Sequence, residues 1–272
     1  MASNLSYQND LSRSAELKNF YLEYYGKIGE LQPLLKASTS EHWYFDLNTR
    51  ASIFINETFD FSVEQNNFFF NQMSYTPVTY SEIFTKEKSV IISGIAGIGK
   101  TWLLRKCLLD WSNGLIWKNV EFVFYLECRR LNQYPNISNI NELLNAFYKD
   151  FMNNFKISNH TALFIIDGLD EFRYLNQLLN PSLTFYPIVN ALAEVTKYKH
   201  VVAGKVNAID HYQSISTKHN NKLCIQVMGL NENKINNYIE NHVVEVKKEV
   251  IKTTLKESPI AKAMASIPFY LS

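Results

Sequence analysis

Between Ser89 and Val227 the chain alternates short unbroken apolar runs with stretches in which apolar residues return every three or four positions. The runs are Ser89–Ile92, Glu121–Leu126 (EFVFYL), Ala162–Asp167, His200–Ala203 and Leu223–Val227. An apolar run of this length, bounded by turn residues, is the mark of a strand buried on both faces. The stretches between them predict helices: Trp102–Trp111 after the first strand, Ile140–Phe155 with Leu143, Leu144, Phe147, Phe151 and Phe155 on one face, and Pro187–Lys197. Strands alternating with helices predict an α/β fold, a parallel five-stranded sheet flanked by helices.

The flanks differ from this centre. The first ten residues read as a polar tail, and Leu17, Phe20, Tyr21, Tyr24 and Ile28 then predict one amphipathic helix from Ser12, ending near Gly26 or Gly29. A looser region from Pro33 holds Trp43, Tyr44 and Phe45, and Ala51–Asn56 predicts a short strand. Residues 57–76 read as a loop with packed aromatics at Phe68, Phe69 and Phe70, and Val78–Phe84 as a short helical lead-in. Residues 1–85 therefore form an N-terminal extension folded on the alternating α/β domain of 86–229. Beyond Gly229 the segments 231–247, 248–256 and 258–266 predict three helices with no strand between them, a small helical subdomain over 230–272.

The chemistry sits where the first strand ends. Gly94, Ile95, Ala96, Gly97, Ile98, Gly99, Lys100 and Thr101 match G-x-x-x-x-G-K-[ST], with a strand before and a helix opening at Trp102 behind. That context makes the motif a phosphate loop rather than a glycine turn with a chance Lys-Thr. Its backbone N–H groups form an anion nest opening on a helix N-terminus. Lys100 reaches the outer phosphates and the Thr101 hydroxyl ligates Mg2+. The third strand ends in Asp167, followed by Gly168-Leu169-Asp170-Glu171. A D-G-x-D-E run alone is most often a solvated turn. Downstream of a phosphate loop, at the carboxyl end of a strand, it supplies the acidic half of a magnesium–nucleotide site. Asp167 holds the metal, and Asp170 or Glu171 orients or deprotonates an attacking water.

Composition narrows the partners. Twenty-seven basic against 26 acidic residues leave a formal charge of +1, with 46% hydrophobic and 19% charged residues. This is a globular balance with no electrostatic footprint for nucleic acid or an acidic membrane. No apolar stretch approaches a membrane span and the N-terminus has no signal-peptide core, so a cytoplasmic location is expected. Cys107, Cys128 and Cys224 lack metal spacing and read as reduced thiols, and the six histidines show none either.

The run GIAGIGKT, then KCLLDWSNGLIWKNVEFVFYLECRRLN, then ALFIIDGLDEF resembles the NACHT module of NOD-like receptors, a class of P-loop NTPases. Leu109-Asp110-Trp111, Ile116-Trp117, Phe122–Leu126 and Cys128-Arg129 carry the likeness beyond phosphate-loop proteins in general. The resemblance spans about 50–272, and its leader is similar to invertebrate members. It implies ATP or ADP with Mg2+ as ligands, phosphates cradled by Gly94–Thr101, Asp167 as the metal-linked carboxylate and Glu171 as the hydrolytic one. It also implies adenine contacts from the backbone at Phe54 and Ile55, and Pro268 of Ser266–Leu271 packed on the base. Two departures stand out. Where the family carries Thr-Ser-Arg-Pro this chain has Ala203-Gly204-Lys205-Val206, so Lys205 is either a γ-phosphate sensor without the planar fork of Arg or a surface cation. The sequence given also stops after the proline motif, before the family's winged helix, as expected either of a fragment of a longer receptor or of a reduced family member.

Two functions remain open at this stage. One is a nucleotide-controlled oligomerisation switch of an innate immune receptor, self-associating on activation and signalling to a partner of unknown identity, with slow ATP hydrolysis at most. The other is a stand-alone ATPase with multiple turnover.

Overall fold

The computed structural model describes residues 2–26, 47–48, 77–78, 83–84, 89–150, 155–157, 160–179, 181, 185–215, 222–230 and 232–267. In chain order these form α1 (Ala2–Gly26), β1 (Leu47–Asn48), β2 (Pro77–Val78), β3 (Ser89–Ser93), α2 (Lys100–Ser112), β4 (Phe122–Glu127), α3 (Cys128–Leu131) and α4 (Ile140–Phe147). There follow β5 (Ala162–Asp167), α5 (Pro187–Val195), β6 (Lys199–Gly204), α6 (Val206–Ile215), β7 (Lys222–Val227), α7 (Glu232–His242), α8 (Glu245–Glu257) and α9 (Pro259–Ala265). Short 3-10 turns cover Leu169–Glu171 and Leu175–Leu179.

Five parallel strands run in the order β7-β3-β6-β5-β4, as the apolar runs predict. Their central residues are buried because helices cover both faces. The sheet is wider than expected by two 2-residue strands that precede β3 in the chain. β1 pairs antiparallel with the end of β7, and β2 pairs with β1. No apolar periodicity could reveal pairings that short.

Three helix boundaries differ from expectation. α1 begins at Ala2, so the polar tail is helical. The α4 helix stops at Phe147, because Tyr148 leaves helical geometry with φ −130° and turns its ring into the core. Phe155 is still buried, but outside that helix. Between α7 and α8 the chain breaks at Val243-Val244, where Val244 is extended. α6, which the sequence does not announce, follows β6 directly. The strand expected at Ala51–Asn56 and the aromatics Phe68–Phe70 lie outside the described residues.

One continuous core joins α1, the sheet and helices α2 to α6. A second, small cluster of Ile235, Ile239 and Ala265 holds α7 and α9 together, with Leu230, Val243, Ile251 and Leu255 at its margin.

Candidate nucleotide site

β3 places the phosphate loop at the carboxyl edge of the sheet. Gly97 and Gly99 hold φ of 74° and 101°, left-handed backbone that turns the loop tightly enough to gather its N–H groups. Gly99 is the N-cap of α2 and offers no side-chain cap, so the first-turn amides, which have no intrahelical acceptor, stay available for an anion. Ile95, Ala96 and Gly97 form an exposed crest, while Ile98 is anchored in the core. Trp102 is half-buried against that core, a supporting position.

Lys100 Nζ donates to the carbonyl oxygens of Gly94 at 2.7 Å and Ile95 at 2.8 Å, so its ammonium lies inside the loop. Burial pushes its pKa down, opposed by the charges of Asp170 and Asp167. Asp167 closes β5, 7% exposed, with the Tyr125 hydroxyl donating to its Oδ2 at 2.6 Å. Burial pushes its carboxyl up, while hydrogen bonds from the Tyr125 and Thr101 hydroxyls and the charges of Arg105 and Lys100 pull the other way. Thr101 and Asp167 thus meet although β6 separates their two strands.

The remaining acidic residues are engaged. Asp170 accepts from the Lys205 N–H at 3.0 Å and lies 3.1 Å from Lys205 Nζ. Burial alone would raise its carboxyl, but Lys205 holds it below the ordinary value. Glu171 forms a two-pronged pair with Arg129, 2.9 Å to Nε and 3.0 Å to Nη2. Phe54, Ile55 and Pro268 lie outside the described residues. Two positions earlier in the sequence than Pro268, the Ser266 carbonyl accepts from the Leu230 N–H at 2.7 Å, which brings the end of α9 beside Gly229.

The family model for the NACHT domain matches residues 88–245, more than half of the chain. The chain belongs to the NACHT family. The human NACHT, LRR and PYD domains-containing protein 7 is 32% identical over 88 residues, 31% of this chain and 9% of that protein. The human protein 13 of the same series is 33% identical over 88 residues, 31% of this chain and 8% of its own length. The mouse protein 1a is 34% identical over 104 residues, 37% of this chain and 9% of its own. The matched segment therefore spans about a tenth of these relatives or less. This NACHT domain is a nucleotide-binding module of the NOD-like receptor type.

The donor set of this NACHT domain fits a magnesium nucleotide. Two left-handed glycines, an uncapped helix start and a half-buried ammonium provide for phosphates, and one hydroxyl with one buried carboxylate provides for the metal. Among the described residues no three His, Cys, Asp or Glu side chains form a metal cage. Mg2+ commonly needs only one or two protein oxygens when phosphates and water complete its shell. No described helix is long and apolar enough to cross a membrane.

Sequence reasoning missed Tyr125, Arg105 and Glu127. A signal existed. In the β4–β5 register Glu127 stands opposite Asp167, so polar residues at the end of β4 share the edge on which the site is built. Arg129, noted only for its resemblance value, proves to be the partner of Glu171.

Proposed function

We propose that this NACHT domain binds ATP or ADP with Mg2+ and acts as a nucleotide-controlled switch in an innate immune receptor, self-associating in its activated state. The meeting of Lys100, Thr101 and Asp167 carries the reading, since one polyphosphate and one metal ion use all three. Bound Mg2+ supplies charge neutralisation of the phosphates. The chain's own residues bind and orient: the loop amides and Lys100 hold phosphate oxygens, while Thr101 and Asp167 fix the metal. We place the helical subdomain at 230–272, behind a nucleotide-binding unit of 86–229 and an extension of 1–85. The separate apolar cluster of α7 and α9 supports that division.

A switch needs ligands that bind its two states unequally, and turnover slow enough for each state to persist. The engagement of Glu171 by Arg129 and of Asp170 by Lys205 supports slow hydrolysis over the multiple-turnover alternative. Titration of the purified chain with ATP and ADP, with and without Mg2+, tests the reading. Wild type binds, Lys100→Ala loses binding while keeping its melting temperature, and turnover stays below about one per second, the lower end for ordinary enzymes. Light scattering shows larger assemblies with ATP than with ADP. Equal binding by Lys100→Ala sinks the nucleotide site, and fast steady turnover sinks the switch.

A further inference from the structure

α1 lies far from Asp167 in sequence, yet it packs against Tyr125, whose hydroxyl donates to that carboxylate. Leu17, Tyr21 and Tyr25, spaced four apart, form its buried stripe. Among the described residues β4 is the outermost strand of the sheet, so one side of its backbone has no described strand partner. The Tyr21 hydroxyl donates to the Val123 carbonyl at 2.9 Å and touches the Tyr148 hydroxyl at 2.9 Å. Tyr148 in turn bonds the carbonyl and N–H of Tyr125, at 2.8 and 2.6 Å. These hydroxyls satisfy the open edge at the residue whose own side chain points at Asp167. Tyr25, one turn further along α1, sets its ring edge-on to that of Tyr125, centroids 5.9 Å apart at 84°. Arg105 lies over Tyr25 at 5.4 Å and reaches Glu127 at 3.8 Å, closing the cluster.

We propose that Tyr125 is a positioning residue for Asp167, and that α1, through Tyr25, holds Tyr125 in place. Docking of α1 and magnesium-dependent nucleotide binding are then coupled. The inference rests on the nucleotide site proposed above. The Tyr125 hydroxyl fixes one oxygen of a buried carboxylate, and the ring carrying it is wedged by Tyr25 on α1, a helix that also lies along α2, with Tyr21 against Trp111 and Arg105 over Tyr25. Outer-shell partners that orient a metal ligand change metal affinity when removed, whereas residues that only fill space change stability. Coupling is reciprocal: whatever α1 does for metal–nucleotide binding, metal–nucleotide binding does for α1.

The test uses the full chain and ADP, titrating Mg2+ and measuring affinity in its absence as well. Tyr125→Phe keeps the ring and removes one hydroxyl. Metal-free ADP affinity stays at the wild-type level, and the half-saturating Mg2+ concentration rises by roughly tenfold or more. Tyr25→Ala raises the Mg2+ requirement in the same direction, and Tyr25→Phe, which preserves the edge contact, restores it. Amide exchange across 20–25 slows on adding Mg2+ and ADP to wild type, but not to Tyr125→Phe. A Tyr125→Phe chain with the wild-type Mg2+ requirement overturns the inference. So does a Tyr25→Ala chain whose metal-free and metal-bound affinities fall equally. Wild type that binds no ADP under any condition refutes the nucleotide site itself, an outcome distinct from both.

Discussion

Arg129 grips Glu171 through two parallel N–H donors at 2.9 and 3.0 Å, while Asn132 Nδ2 donates to the Glu171 backbone carbonyl at 2.8 Å. The residue that sequence reasoning assigns to water activation is thus held in an exposed pair, its charge already met. Such a pair adds little to stability because water screens it, but a bidentate fork fixes direction.

Arg129→Ala is therefore expected to leave the melting temperature and nucleotide affinity unchanged while raising steady-state phosphate release severalfold. Arg129→Lys keeps the charge without the fork and falls between the two. A lower rate at unchanged affinity would show that Arg129 orients Glu171 instead of restraining it.

Asp167 stands for a second trade. Burial raises its carboxyl pKa in the fold, so at neutral pH the ionised form costs stability that the unfolded chain does not bear. Asp167→Asn removes that charge and can still accept from Tyr125. Thermal unfolding of the nucleotide-free variant should shift up by a few degrees, together with loss of Mg2+-dependent binding. Calorimetry with and without the metal reads both effects.

The Asp170–Lys205 pair predicts a small acid-sensitive contribution. The folded carboxyl lies below its ordinary 3.8, so its stabilisation is present above that value and is lost as pH falls through the folded pKa. With Lys205 58% exposed, the pair is worth about 0.5 kcal/mol. Lys205→Gln should lower the urea midpoint slightly at pH 7, the difference from wild type closing toward pH 3.

Gly229 joins the phosphate loop to the C-terminal helices. Its φ is +85°, and an added Cβ would run into the Ser266 carbonyl oxygen and lie 2.7 Å from Ile98 Cδ1. Gly229→Ala should cost about 2 kcal/mol in denaturant unfolding, from backbone strain and overpacking together. Because Ile98 belongs to the loop, nucleotide affinity should fall with it.

By itself the sequence determined the five parallel strands, the loop at Gly94–Thr101 and the carboxylate at Asp167. Each is written locally, as an apolar run, a fixed glycine spacing or a charge at a strand end, and local signals survive without knowledge of neighbours. Only the tertiary structure decided who touches Asp167. Tyr125 donates to it from β4, and the α1 tyrosines act on Tyr125 and its neighbours because β4 is the outermost described strand and α1 covers it, a matter of strand order that no local pattern encodes. The same holds for the end of α4. Periodicity carries the helix on to Phe155, but the chain leaves it at Tyr148, whose hydroxyl bonds the N–H and the carbonyl of Tyr125 on β4.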